Sequence, residues 1–167
     1  MPGIVVGMDG SDHSSRALTW AMRQAAQQQV PLTVLAVRPD PVRPVTGVYW
    51  GVHAYPEDAH NPEVARKAIQ EIVEQLRNEM GETAPQVTVN VVTGDPAEEL
   101  VKASRGADMV VVGSRGSGGF ASLLMGSVSS KVTHHAACPV VVIRGEASPR
   151  RRAVSGGYFA PDKELPR

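Results

Sequence analysis

Short β-branched runs and helix-periodic stretches take turns along this chain. Ile4-Val5-Val6-Gly7-Met8 has the composition of a strand buried on both faces. Asp9-Gly10-Ser11-Asp12 supplies turn and N-cap chemistry, and Leu18, Ala21, Met22 and Ala25 then recur at helical spacing. Pro31 stops that helix, and Leu32-Thr33-Val34-Leu35-Ala36-Val37 predicts a second strand. After Pro62, the positions Val64, Ala68, Ile72, Leu76 and Met80 mark a longer amphipathic helix ending at Gly81. Val87 to Val92 predicts a third strand. Asp95-Pro96-Ala97-Glu98 then offers an N-cap acid, proline at the first helical position and an acid completing a capping box. Leu100, Val101 and Ala103 carry that helix toward Gly106. Met109 to Val112 predicts strand four, Val128 and Val132 lie in a last helix after Ser127, and Pro139 to Ile143 predicts strand five. Five apolar strands alternating with helices predict an α/β fold, a single-domain open parallel sheet with helices on both faces.

Two stretches fall outside the pattern. Residues 38–61 hold Pro39, Pro41, Pro44 and Pro56 with no usable period, and a connection that long in a compact domain is usually functional or disordered. It carries Tyr49, Trp50 and Tyr55 out of 2 Trp, 3 Tyr and 2 Phe in the whole chain, so the core is expected to be almost entirely aliphatic. Those aromatics either lie on the domain's own surface or form a lid over a ligand. Residues 147–167 are rich in proline, glycine and charge and read as a disordered tail behind a domain at 1–146.

Composition narrows the partners. With 167 residues the chain is one domain by size, and 17 basic side chains balance 17 acidic ones. That balance gives no electrostatic reason to expect nucleic acid or an anionic membrane as partner; the run Arg150-Arg151-Arg152 sits in the tail. Cys138 is the only cysteine, so no intrachain disulfide is expected, and next to Pro139 it reads as a buried, inert thiol. No basic-then-apolar leader and no long apolar span is visible, so a cytoplasmic protein is expected. His134 and His135 are adjacent, and on a helix they point about 100° apart, too divergent to share a metal.

The chemistry concentrates in Gly113-Ser-Arg115-Gly116-Ser-Gly-Gly-Phe-Ala-Ser-Leu-Leu-Met-Gly126-Ser127, directly behind strand four. Glycines there let an anion approach backbone N–H groups, and the exit is a helix N-terminus where Ser127 and Ser129 could add hydroxyl donors. Glycine at 116 and 126 also suggests backbone at positive φ. A P-loop reading fails because no lysine stands between Gly126 and Ser127. The dinucleotide fingerprint matches by letter at Gly116-Ser-Gly118-Gly-Phe-Ala121, yet it follows the fourth strand and the next acid is Glu146, so that reading fails as well.

Gly113-x2-Gly116-x9-Gly126-Ser127 resembles the nucleotide-binding motif of the ATP-binding branch of the universal stress protein family. The opening Ile4 to Ser11, the Val-x-x-Gly-Asp-Pro step at Val91 to Pro96 and the run Cys138 to Val142 agree with it, and the resemblance spans residues 3 to 144. It implies a Rossmann-like sheet in the order 3-2-1-4-5. In such a sheet ligands bind where connections leave toward opposite sides, here between strands one and four, and Asp9 and Gly113 end those strands. By this resemblance Gly113, Gly116, Gly126, Ser127 and Val128 would wrap triphosphate and ribose, with Ser129 supplementing them. Asp9 would reach the ribose or a bound Mg2+ or Mn2+, Gly7 would leave room for the ligand, and Val37 would meet adenine with its backbone. Arg115 is either a phosphate partner or a solvated cation.

The expected function is therefore an ATP-binding regulatory protein, with a slow ATPase or phosphotransferase and a nucleotide-independent scaffold as alternatives. The glycine loop supplies neither lysine nor carboxylate, so fast phosphoryl transfer is not expected. In the implied order Pro139 to Ile143 is an apolar edge strand, which together with the family resemblance suggests a symmetric homodimer through that edge.

Overall fold

The computed structural model describes residues 3–38, 62–116 and 125–144. The aromatic stretch at Tyr49, Trp50 and Tyr55 and the tail 147–167 lie outside the described residues.

The chain runs β1 (Ile4–Met8), α1 (Asp12–Gln28), β2 (Leu32–Arg38), α2 (Pro62–Met80), a 3-10 turn (Gly81–Thr83), β3 (Val87–Thr93), α3 (Pro96–Ser104), β4 (Met109–Gly113), α4 (Ser127–His135) and β5 (Val140–Ile143). The five strands form one parallel sheet in the order β3-β2-β1-β4-β5. Each β-to-β crossover carries a helix, and period-2 side chains sort the core into two layers. Ile4, Val6 and Met8 of β1 face α1 and α2, where Leu18, Met22, Ile69 and Val73 close over them. Val5 and its neighbours Leu35, Val110 and Val112 face α3 and α4, against Leu100 and Val132. Among the described residues the buried hydrophobic side chains are all alanine, valine, leucine, isoleucine or methionine.

Helix ends follow local chemistry. Ser11 caps α1, its Oγ accepting the Ser14 amide at 3.2 Å. Asp95 caps α3 by accepting the Glu98 amide at 2.8 Å, with Pro96 in the first turn. The expected capping box is only half built: the Glu98 carboxylate turns to Lys131 of α4 at 3.3 Å.

Coverage of the sheet is less even than a doubly covered parallel sheet implies. On β3, Thr88 and Asn90 are exposed while Val87, Val89 and Val91 are half-buried on the α2 side. The α3 side of that edge strand is thus open at Thr88 and Asn90, while Val92 packs into the α3–α4 layer. Cys138 likewise differs from the buried thiol expected: it is half-buried, with Sγ 3.6 Å from the Pro139 carbonyl, and burial pushes its pKa above the usual thiol value, which keeps it a weak nucleophile.

Candidate functional site

The C-terminal ends of β1 and β4 bring the two halves of the candidate site together. Their register, Ile4↔Met109 through Val6↔Val111, places Asp9 and the start of the loop behind β4 side by side. β1 and β4 are also where the chain order reverses, the position at which an open α/β sheet leaves a crevice. On the other flank β2 outruns β1, whose last partner is Ala36, so Val37 and Arg38 pair only with Val92 and Thr93 of β3.

Behind β1, Gly10 adopts φ 80°, a left-handed turn suited to glycine. The turn folds the Asp9 carboxylate onto Ser11, whose hydroxyl donates to Oδ1 at 2.6 Å and whose amide donates at 3.0 Å. Asp9 is therefore not the helix cap. It braces the cap residue, and its second carboxylate oxygen Oδ2 faces Gly116 so closely that a Cβ on that glycine would lie 2.6 Å away. The loop behind β4 thus crosses directly over the end of β1.

That loop is held at both ends by its own backbone. The Ser114 amide donates to Ile143 of β5 at 2.8 Å, and the Gly126 amide donates back to the Ser114 carbonyl at 2.8 Å. Ser129, buried in the first turn of α4, donates its hydroxyl toward the Ser114 and Gly126 carbonyls at 3.2 and 3.0 Å. Its hydroxyl proton is therefore engaged inside the loop instead of being offered to a ligand, which corrects the role expected for it. Gly126 is the N-cap of α4 and makes no side-chain cap, unlike Ser11 and Asp95 at the other capped helices. Ser127 at the first position of α4 is exposed and Val128 half-buried. The positive end of this helix thus has no side-chain cap from its N-cap residue.

The motif glycines and Gly7 serve different needs from those expected. Gly126 has φ −74° and ψ 163°, so it is not there to permit positive φ, and Gly116 is likewise absent from the residues with positive φ. A Cβ on Gly113 would meet the His13 backbone carbon at 2.8 Å, so this glycine lets β4 touch the first turn of α1. At Gly7 the space is filled by protein: a Cβ would meet Leu100 Cδ1 at 3.2 Å and Val112 Cγ1 at 3.6 Å. Gly7 makes room for α3, not for a ligand. Ser11 is the cap that its sequence context predicts, whereas the roles of His13, Ser14 and Ser114 are not legible there; only Ser14, the N3 partner of that cap, carries a local signal.

Arg115 supplies the charge. Its Nε is buried with no hydrogen-bond partner among the described residues, a costly state for a guanidinium N–H unless another acceptor completes it. An anion bridging Arg115 and the α4 amides would satisfy both. The donor set therefore fits a phosphate chain, and the Asp9 carboxylate lies beside the loop that carries it. No group of three or more His, Cys, Asp or Glu gathers among the described residues. A hard divalent ion here would take one oxygen from Asp9 and the rest from phosphate and water.

The model of the universal stress protein family matches residues 2–144. A universal stress protein of Mycolicibacterium smegmatis is 36% identical over 147 residues, which is 86% of this chain and 48% of that protein. YxiE of Bacillus subtilis is 32% identical, with 84% of this chain and 97% of its own length covered. The chain spans about half the length of the mycobacterial relatives it matches. Among solved structures, UspA from Lactobacillus plantarum is 26% identical with a TM-score of 0.67 over 86% of this chain and 97% of its own. A universal stress protein solved in complex with cAMP is 25% identical with a TM-score of 0.57 over 86% and 96%.

Proposed function

The chain belongs to the universal stress protein family, and from that footing we propose that it binds ATP in the crevice between β1 and β4 and acts as a nucleotide-responsive regulatory homodimer. The observation that carries this reading is the pairing of an uncapped α4 N-terminus with the buried, unpartnered Nε of Arg115 in the preceding loop. Both groups want negative oxygen, and glycine at position 126 keeps a side chain off the first turn of α4. The cAMP-bound relative supports an adenine nucleotide as the class of ligand.

Within this reading the amides of Ser127 and Val128 hold the phosphates, Arg115 pairs with one of them, and Asp9 takes the ribose or one ligand position of Mg2+ or Mn2+. Val37, at the overhang of β2, offers backbone to the base. Bound ATP would bring a divalent ion that neutralises phosphate charge. Asp9, the carboxylate that the loop meets among the described residues, is already bonded to Ser11. It is not arranged to activate water, and turnover is expected to be slow.

Native mass spectrometry of protein taken straight from cells tests this directly. The expected spectrum is a dimer carrying adenine nucleotide, one per chain, with Arg115→Ala losing it. Nucleotide-free protein that shows no calorimetric response to ATP, with or without Mg2+, would overturn the proposal. Rapid phosphate release would move the protein to the enzyme reading.

A further inference from the structure

Away from the crevice, charged side chains of α3 and α4 face one another. A groove of about 520 Å³ runs between them, lined by Glu98, Val101, Lys102, Arg105, Lys131 and His135. The α3 members recur at i, i+3, i+4 and i+7, so one face of that helix forms a wall about 10 Å long. Lys131 and His135, one turn apart, form the facing wall on α4. Val101, half-buried, lies in the floor.

The charge is zoned along this groove. At the N-terminal end of α3, Asp95 and Glu98 hold Lys131 at 3.5 and 3.3 Å, and hydrogen bonding to Glu98 raises the lysine pKa. Further along α3 the cations are only partly matched. Lys102 reaches Glu99 only at 3.8 Å with its side chain 74% exposed, and Arg105 and His135 form no ion pair among the described residues. Asp95 and Glu98 thus outnumber Lys131 at one end, and at the other Lys102 and Arg105 stand against the single carboxylate of Glu99, which leaves one surplus positive charge there.

We propose that the α3–α4 groove is a docking surface for an acidic peptide segment of a partner protein. The segment lies along α3 with its carboxylates at the Lys102–Arg105–His135 end and an apolar side chain over Val101. Arg105 presents a planar fork suited to a carboxylate, and Lys102 and His135 flank it. A single inorganic anion would fill only one end of so long a groove. Nucleic acid would set further phosphates against Asp95, Glu98 and Glu99 on the same helix, and a flat membrane would not reach Val101. The site shares no residue with the nucleotide crevice and stands whether or not that crevice binds ATP.

Fluorescence anisotropy of a short, labelled peptide with Asp and Glu on one side of a single Leu and uncharged residues on the other, titrated with the protein, tests the proposal. Binding that weakens with added NaCl is expected, and the double variant Lys102→Glu/Arg105→Glu should weaken it at least about tenfold. Circular dichroism of the variant should match that of the parent. If the pair disturbs the fold, the single exposed change Arg105→Glu replaces it, with a smaller loss in the same direction. No binding, equal binding by the variants, equal binding of a Lys-rich peptide, or stronger binding of a single-stranded oligonucleotide would each overturn it.

Discussion

Gly126 sits at φ −74° and ψ 163°, dihedrals open to any L residue. A Cβ there would touch Arg115 Cα at 3.4 Å and the Ser114 carbonyl and Ser129 hydroxyl at 3.6 Å, all ordinary contacts. Neither strain nor crowding by the described residues explains glycine at this position, and a capping side chain here would lie over the α4 amides. Gly126→Asp separates the two possibilities. The carboxylate would cap α4, a gain of roughly a few tenths of a kcal/mol because glycine is itself a fair cap. It would also sit where phosphate oxygens are proposed to lie. The melting temperature should hold or rise slightly, while ATP affinity measured by calorimetry should fall by roughly tenfold or more, the scale of one charge-assisted interaction lost. Undiminished affinity would remove the α4 N-terminus from the binding site. Gly116 poses the opposite case, since any side chain there must displace the Asp9 carboxylate lying 2.6 Å from its Cβ position.

Between elements, the reason for a residue lies with whatever it faces. Gly113 belongs to the glycine motif, yet its Cβ would strike the backbone of His13 at 2.8 to 3.0 Å, and backbone yields little. Gly113→Ala should therefore push α1 off β4 and cost about 1–3 kcal/mol in a denaturant titration, even without nucleotide. A loss below a few tenths would mean that α1 shifts freely and that the glycine serves the ligand alone. This is also where the sequence stops being readable. Strand positions show through because β-branched runs such as Val110 to Val112 have few other uses in a globular domain, and Asp95-Pro96 announces α3 because capping is a local event. The partner of Glu98 does not show, since Lys131 is 33 residues away and only the α3–α4 contact brings it near. Gly7 and Ser129 carry the same letters whether they face a ligand or protein; only the positions of Leu100 and Ser114 decide. The glycine spacing points to the loop behind β4, and the division of labour among its residues needs coordinates.

At the scale of the whole molecule, the two sheet edges are unlike. β3 presents exposed Thr88, Asn90 and Thr93, polar side chains that discourage pairing with another sheet. β5 is Val-Val-Val-Ile, half-buried at every position, with Val141 and Ile143 against the α1 layer and Val140 and Val142 against the α3–α4 layer. The carbonyls of Pro139 and Ile143 accept from β4 and from Ser114 behind it, at 3.0 and 2.8 Å, so by the alternation of a strand Val140 and Val142 turn their backbone groups outward. This apolar edge is the contact proposed for the homodimer. Val141→Lys tests it poorly, because Val141 also packs against α1 and its loss would disturb the fold. Val142→Pro is cleaner: it removes an outward N–H and leaves the β4–β5 ladder intact, and proline is tolerated on edge strands. Light scattering should then report monomer at concentrations where the parent chain is dimeric, with circular dichroism and ATP binding retained. A dimer of unchanged stability would place the contact on another surface and leave β5 as an edge covered only by its own helices.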